Sequence, residues 1–152
     1  MVNTQQIGKC GELLVQYKLL LHGIESSPLT TDYGIDLVAY TSIKNQAMTV
    51  QVKTCLEPKP AGGKGKLALD WWLADNSPAQ LVALVDLSKE RIWLFEIEEY
   101  RAMAQQHSNG RLHLYMYVDP SVEPRTNKAV HVADFDLYLL ENRISFLFGN
   151  QD

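Results

Sequence analysis

Glu12, Asp36, Gln51 and Lys53 are the residues whose types and spacing could act together on a phosphodiester. Gln51 and Lys53 flank Val52 in the run TVQVKT. Side chains of a strand alternate between faces, so this pair points one way while Val50, Val52 and Thr54 point the other. A hairpin through residues 34–54 can bring Asp36 beside the pair. Two carboxylates brought together can hold a divalent cation with hard oxygen ligands, and magnesium needs few protein ligands because waters and substrate phosphates complete its shell. The Gln51 carbonyl could be a further neutral ligand or could orient a water. Lys53 could position or activate the attacking water, or offset charge growing on a phosphate. The chemistry implied is metal-assisted phosphodiester hydrolysis. Packing alone does not ask for such a set, since lysine is rarely held on a core-side face without a partner.

A purely structural account remains open: Asp36 caps a turn, Glu12 is a surface helix acid, and Lys53 lays its stem along a sheet edge. Asp32 could be a second acid at the mouth of the site or a solvated loop acid. Gln16, one helical turn after Glu12, faces the same groove and is a candidate for contact with DNA or metal-bound water. Thr54 is structural. His22, His107, His113 and His131 lack metal-binding spacing with one another, and nothing positions a partner to make a nucleophile of Cys55.

These residues need elements to hold them. Gln5–Leu21 is apolar at Ile7, Leu13, Leu14, Tyr17, Leu20 and Leu21, a helical spacing ended by His22–Gly23. Gly8 and Gly11 cost helix propensity beside Glu12, which suits a helix closely approached by backbone or ligand. A short strand at Ile24–Ser27 and a polar loop lead to the Gly34 turn. Pro58–Gly65 (PKPAGGKG) reads as a flexible basic loop, and it matches neither GxGxxG nor GxxxxGK[ST]. Leu67–Leu73 is a short strand or helical turn whose Trp71 and Trp72 are read as core or subunit contact rather than as base-stacking platforms. Gln80–Leu87 is a central strand, hairpin-paired through Ser88–Lys89 with Glu90–Ile97. A helix over Ile97–Gln106, a strand over Leu112–Val118, a proline-bearing loop over Asp119–Asn127, a closing helix over Ala133–Glu141 and a hydrophobic tail at Ile144–Phe148 complete the chain. This order predicts one α/β or α+β domain over residues 1–152, a mixed β-sheet flanked by helices.

With 152 residues and 46% apolar content the chain can bury one proper core. It has no apolar run long enough for a membrane span and no secretory-signal pattern at its start. Its cysteines, Cys10 and Cys55, are too few for a disulfide scaffold or a four-ligand zinc site, which predicts a reduced, cytoplasmic protein. A net charge of −4 weakly opposes nucleic-acid binding. The distribution matters more: Lys44, Lys53, Lys59, Lys64 and Lys66 gather against the single acid Glu57. That edge fits a phosphate-backbone footprint or an ordinary solvated loop.

GE near the start, then DYGIDL, then VQVK resembles the PD-(D/E)xK nuclease superfamily in its QxK variant, over residues 8–54. The likeness is greatest to bacterial group I intron homing endonucleases, with Holliday junction resolvases and Mrr-like restriction enzymes as relatives. The resemblance implies a restriction-endonuclease-like core in which Glu12 is the helix acid, Asp36 the metal-holding aspartate, Gln51 the residue at the acidic place of the ExK pair and Lys53 its lysine. Many members carry glutamate where Gln51 stands. It implies a Mg2+-dependent endonuclease, with Asp36, Glu12 and Gln51 as metal ligands and double-stranded DNA as partner. A double-strand cut needs two hydrolytic centres, so a homodimer or homotetramer follows. Lys44, Lys59, Lys64 and Lys66 are the first DNA-contact candidates, Arg125 and Lys128 a second arm, and each would meet phosphates. The alternatives are a junction resolvase and a non-catalytic DNA-binding or assembly protein that keeps the fold.

Overall fold

The computed structural model describes residues 1–31 and 33–150; Asp32 lies outside the described residues. Helix α1 (Thr4–Leu21) is started by Asn3, whose side chain accepts the Gln6 N–H at 2.9 Å while the Gln6 side chain accepts the Asn3 N–H at 2.9 Å. Its buried residues are Gly11, Val15 and Leu19, one turn apart each. The apolar pattern pointed to a different stripe: Leu13, Tyr17, Leu20 and Leu21 are all exposed. The small Gly11, rather than a large side chain, lets the helix settle onto the sheet.

Strands β1 (Glu25–Pro28), β2 (Leu37–Thr41) and β3 (Gln46–Cys55) form an antiparallel meander. A tight turn with Asn45 at φ 47° joins β2 to β3. A parallel neighbour of β3 requires a crossover, and here it is a hairpin, not a helix. β4 (Lys59–Pro60), a 3-10 turn (Ala61–Gly63) and β5 (Leu67–Ala74) carry the chain to β6 (Leu81–Asp86), which pairs parallel with β3. The supposed flexible loop at 58–65 thus holds a strand and a helical turn. β7 (Arg91–Glu96) completes a five-stranded mixed sheet in the order β1-β2-β3-β6-β7. Asp86, fully buried, organises the β6–β7 turn by accepting the Ser88 N–H and O–H and the Arg91 guanidinium.

Helix α2 (Ile97–Met103) ends earlier than the sequence pattern indicated, because Ala104 turns into β8 (Gln106–Ser108). β9 (Arg111–Tyr117) then pairs with β5 and β8, making a second, antiparallel sheet in the order β4-β5-β9-β8 that the linear reading did not anticipate. The closing helix expected over Ala133–Glu141 is instead a 3-10 segment (Val132–Tyr138), a break at Leu139, and helix α3 (Leu140–Phe148) that takes in the hydrophobic tail.

The mixed sheet is covered on both faces. One core joins Val15, Leu19, Val50, Ala83, Ile144 and Phe148, so α1 and α3 lie on that side. The other joins Val82, Leu84, Trp93 and Phe95 to Leu69 and Leu114 of the second sheet. Among the described residues no helix is long and apolar enough to cross a membrane.

Candidate active site

Asp36 stands one residue before β2. Its N–H donates to the Val50 carbonyl at 2.9 Å, and its Oδ2 accepts the Val52 N–H at 2.7 Å. The carboxylate therefore meets the β3 backbone between Gln51 and Lys53. It takes a donor that the β2 ladder leaves unpaired where the strand ends. Ahead of it Gly34, at φ +86°, turns tightly against Pro78, and a Cβ there would stand 3.1 Å from the proline ring.

Along β3 the faces divide as alternation requires. Val50 is fully buried and Val52 packs on the helical side. Gln51 pairs with Val82 and Lys53 with Leu84, residues of the opposite core. Gln51 and Lys53 thus share the face that the second sheet covers, and both are half-buried. The Ser77 hydroxyl donates to Gln51 Oε1 at 2.6 Å. An amide oxygen has two lone pairs, so this bond fixes the carbonyl's direction and leaves it able to accept once more. Sequence reasoning missed Ser77. Only its place in the polar stretch before β6 hinted that it would fold back over β3. Gln80 closes the same stretch, accepting the Thr49 N–H at 2.9 Å while its own N–H donates to Thr49 Oγ1 at 2.9 Å. The Lys53 side chain makes no hydrogen bond or ion pair among the described residues, while its backbone pairs with Leu84 of β6.

Glu12 arrives from the other side. Gly11 lies on Thr54, whose Oγ1 would be 1.8 Å from a Cβ at that glycine. This places α1 against β3 next to Lys53, and Thr54 is structural as expected. The Glu12 carboxylate accepts from Lys9 Nζ at 3.3 Å and makes no hydrogen bond or ion pair with Asp36, Gln51 or Lys53. The structure therefore unites Asp36, Gln51 and Lys53 on adjoining backbone and leaves Glu12 on the neighbouring helix, paired with lysine.

Among the described residues no three His, Cys, Asp or Glu side chains gather to hold a metal ion. The oxygen donors brought together are the Asp36 carboxylate and the Gln51 amide, hard ligands whose chemistry suits the Mg, Ca and Mn class of cation rather than zinc or copper. The remaining candidates are scattered. The Gln16 amide donates to the Ser26 carbonyl at 3.4 Å, Lys44 Nζ to the Leu147 carbonyl at 3.5 Å, and Lys128 Nζ to the Ala104 carbonyl at 2.7 Å. Lys64 and Lys66 are exposed beside the 3-10 turn, whereas Lys59 and Arg125 line a shared cleft on the second sheet. Cys55 is poorly disposed to act as a nucleophile. Burial pushes its pKa up to about 11, and its thiol donates to the Asp70 carbonyl at 2.8 Å.

No protein-family model and no curated sequence matches the chain. A solved structure of a bacterial homing endonuclease, I-Ssp6803I, is similar, with a TM-score of 0.57 at 17% identity over 82% of this chain and 84% of that one. The architecture shared at that distance is an α/β fold, a mixed sheet flanked by helices around a restriction-endonuclease-like core.

Proposed function

We propose that this chain is a Mg2+-dependent endodeoxyribonuclease of the PD-(D/E)xK superfamily, in its QxK variant. It hydrolyses phosphodiester bonds of double-stranded DNA at specific sites, in the manner of homing or restriction enzymes, as a cytoplasmic homodimer or homotetramer. The observation that carries the reading is the Asp36 carboxylate anchored on the Val52 N–H, between Gln51 and Lys53, in a fold shared with a homing endonuclease.

Asp36, Gln51 and Glu12 are the residues that would hold the metal, which when bound supplies Lewis-acid stabilisation of the phosphate. The chain's own contributions follow from its bonds. Asp36 is positioned by the β3 backbone and so presents a fixed negative oxygen. Gln51, oriented by Ser77, adds an oxygen without adding charge, which lessens repulsion of an incoming phosphodiester. Lys53, half-buried and without an acidic partner among the described residues, orients the attacking water and neutralises charge that grows on the phosphate. Glu12, on α1 and paired with Lys9, is the second carboxylate assigned to the metal.

The test is cleavage of plasmid carrying a genomic library, random linear duplex and a synthetic four-way junction, each with magnesium and with EDTA, beside the Asp36→Ala protein. Discrete fragments that need both magnesium and Asp36 are expected. Cutting confined to the junction would replace this reading with a resolvase. Cutting retained by Asp36→Ala would overturn the metal assignment, and DNA binding without cutting would favour the non-catalytic alternative.

A further inference from the structure

The two tryptophans that the sequence leaves together are separated by the fold. Trp71 is buried in the core, but Trp72 faces outward on the second sheet. Along β9 the inward residues Leu112, Leu114 and Met116 alternate with outward His113, Tyr115 and Tyr117. The outer face thus carries an aromatic row. Trp72 and His113 stack at 4.0 Å, His113 and Tyr115 lie 5.6 Å apart, and Tyr115 and Tyr117 meet edge to face at 5.4 Å. Sheet faces turned to solvent ordinarily carry polar side chains, so rings continued along a whole strand call for an occupant.

These rings floor a cleft of about 600 Å3, within the range of sites that hold small organic groups. Its walls carry cations: Lys59 from β4 and Arg125 from the loop after β9. Arg111 adds a guanidinium over the Trp72 ring, 5.1 Å from its centroid. The acid in the cleft, Asp70, has His113 Nε2 at 2.9 Å, so it has a partner within the cleft. Flat π-faces between positive walls are complementary to bases joined by phosphates.

We infer that the outer face of the second sheet, with Tyr115 and Tyr117 as platform and Lys59 and Arg125 as flanking cations, binds an unpaired stretch of DNA. Bases stack on the rings and phosphates meet the cations, the combination that gives single-strand binding without sequence readout. The choice of DNA rests on the endonuclease reading. The cleft lies on the face of the second sheet turned away from the β3 core, so the strand held there is a part of the substrate other than the bond being cut.

The test is made in EDTA, where the endonuclease reading expects no cleavage. Fluorescently labelled oligothymidylate of about twelve nucleotides is titrated into the wild-type chain and into Tyr115→Ala, Tyr117→Ala and Lys59→Ala variants, with thermal melting as a check on folding. The expected result is binding that quenches tryptophan emission, with the quenching lost in Trp72→Phe because Trp71 and Trp93 are buried. Each tyrosine removed should weaken binding about tenfold, and Lys59→Ala should flatten the salt dependence. Three results would overturn the inference: equal affinity in folded tyrosine variants, equal dependence on these tyrosines for a fully paired duplex, or tighter binding of oligouridylate than oligothymidylate. Because binding is read in EDTA with no cleavage step, failure here is separable from failure of the nuclease reading.

Discussion

Gly11 and Thr54 touch so closely that no side chain can stand between them: a Cβ on the glycine would fall 1.8 Å from Thr54 Oγ1 and 2.9 Å from Thr54 Cβ. The helix that carries Glu12 is held at this distance from the strand that carries Lys53. Gly11→Ala should therefore push α1 off the sheet and cost about 1–3 kcal/mol or more, read from chemical denaturation. Thr54 Oγ1 is buried with no hydrogen-bond partner among the described residues. Thr54→Val, equal in shape, should be neutral or should stabilise by up to about 1 kcal/mol. Loss of stability in Thr54→Val would mean that the hydroxyl has a task that the contacts do not reveal.

Ser77 acts on Gln51 alone among the four residues of the candidate site. On the proposed reading, Ser77→Ala should lower kcat about tenfold, the usual effect of removing an outer partner of a ligating group, while duplex affinity in EDTA stays unchanged. Ser77→Thr, which keeps the hydroxyl, should restore much of the rate. Equal losses in affinity and rate would reduce Ser77 to a loop-packing role.

The cysteines should separate by reactivity. Cys10 is exposed, whereas Cys55 is raised to about 11 by burial. At pH 8 only about one Cys55 thiol in a thousand is ionised. Iodoacetamide at that pH should label Cys10 and spare Cys55 in the folded protein, as mass spectrometry of tryptic peptides would show. Labelling of Cys55 should rise towards pH 11 or on unfolding.

Tyr100 ties the second sheet together. Its buried hydroxyl lies 3.1 Å from the Trp71 carbonyl on β5 and 3.2 Å from the Leu112 carbonyl on β9. Tyr100→Phe should cost about 1–2 kcal/mol. Burial also raises the phenol's pKa above its ordinary 10.0. A group raised on folding contributes stability that is fully present below the unfolded value and is lost as pH rises through the folded one. The wild type should thus lose stability above pH 10 more steeply than Tyr100→Phe. Parallel profiles would show that other groups govern alkaline unfolding.

The parts of the fold that were legible in the sequence are those where one local rule decides. Continuous apolar residues placed β6 in the centre, and strict alternation in β9 set Leu112, Leu114 and Met116 inward. The opposed faces of Gln51 and Val52 followed from the strand period alone. What could not be read depends on distant partners. The buried stripe of α1 is defined by Gly11, a residue with no hydrophobic signal, because Thr54 needs the space. The second sheet was hidden because β5 finds its partner β9 beyond β6, β7 and α2. Leu139, extended between the 3-10 segment and α3, forms a bridge with Trp93 of β7 and so divides what the sequence pattern presents as one helix.

The hairpin crossover between β3 and β6 also orders the assembly of the site in time. Asp36 and Val52 are 16 residues apart and are joined by closing the short β2–β3 turn, an event open to the isolated hairpin. Ser77 and Gln51 are 26 residues apart, and their bond waits until the chain has laid down β4 and β5 and returned as β6. Closing the longer loop costs only a little more entropy, but parallel and long-range strand pairing is slow. As the chain leaves the ribosome, the aspartate would find its backbone anchor first and the glutamine its orienting hydroxyl later, so a half-made chain carries a positioned acid beside an undirected amide.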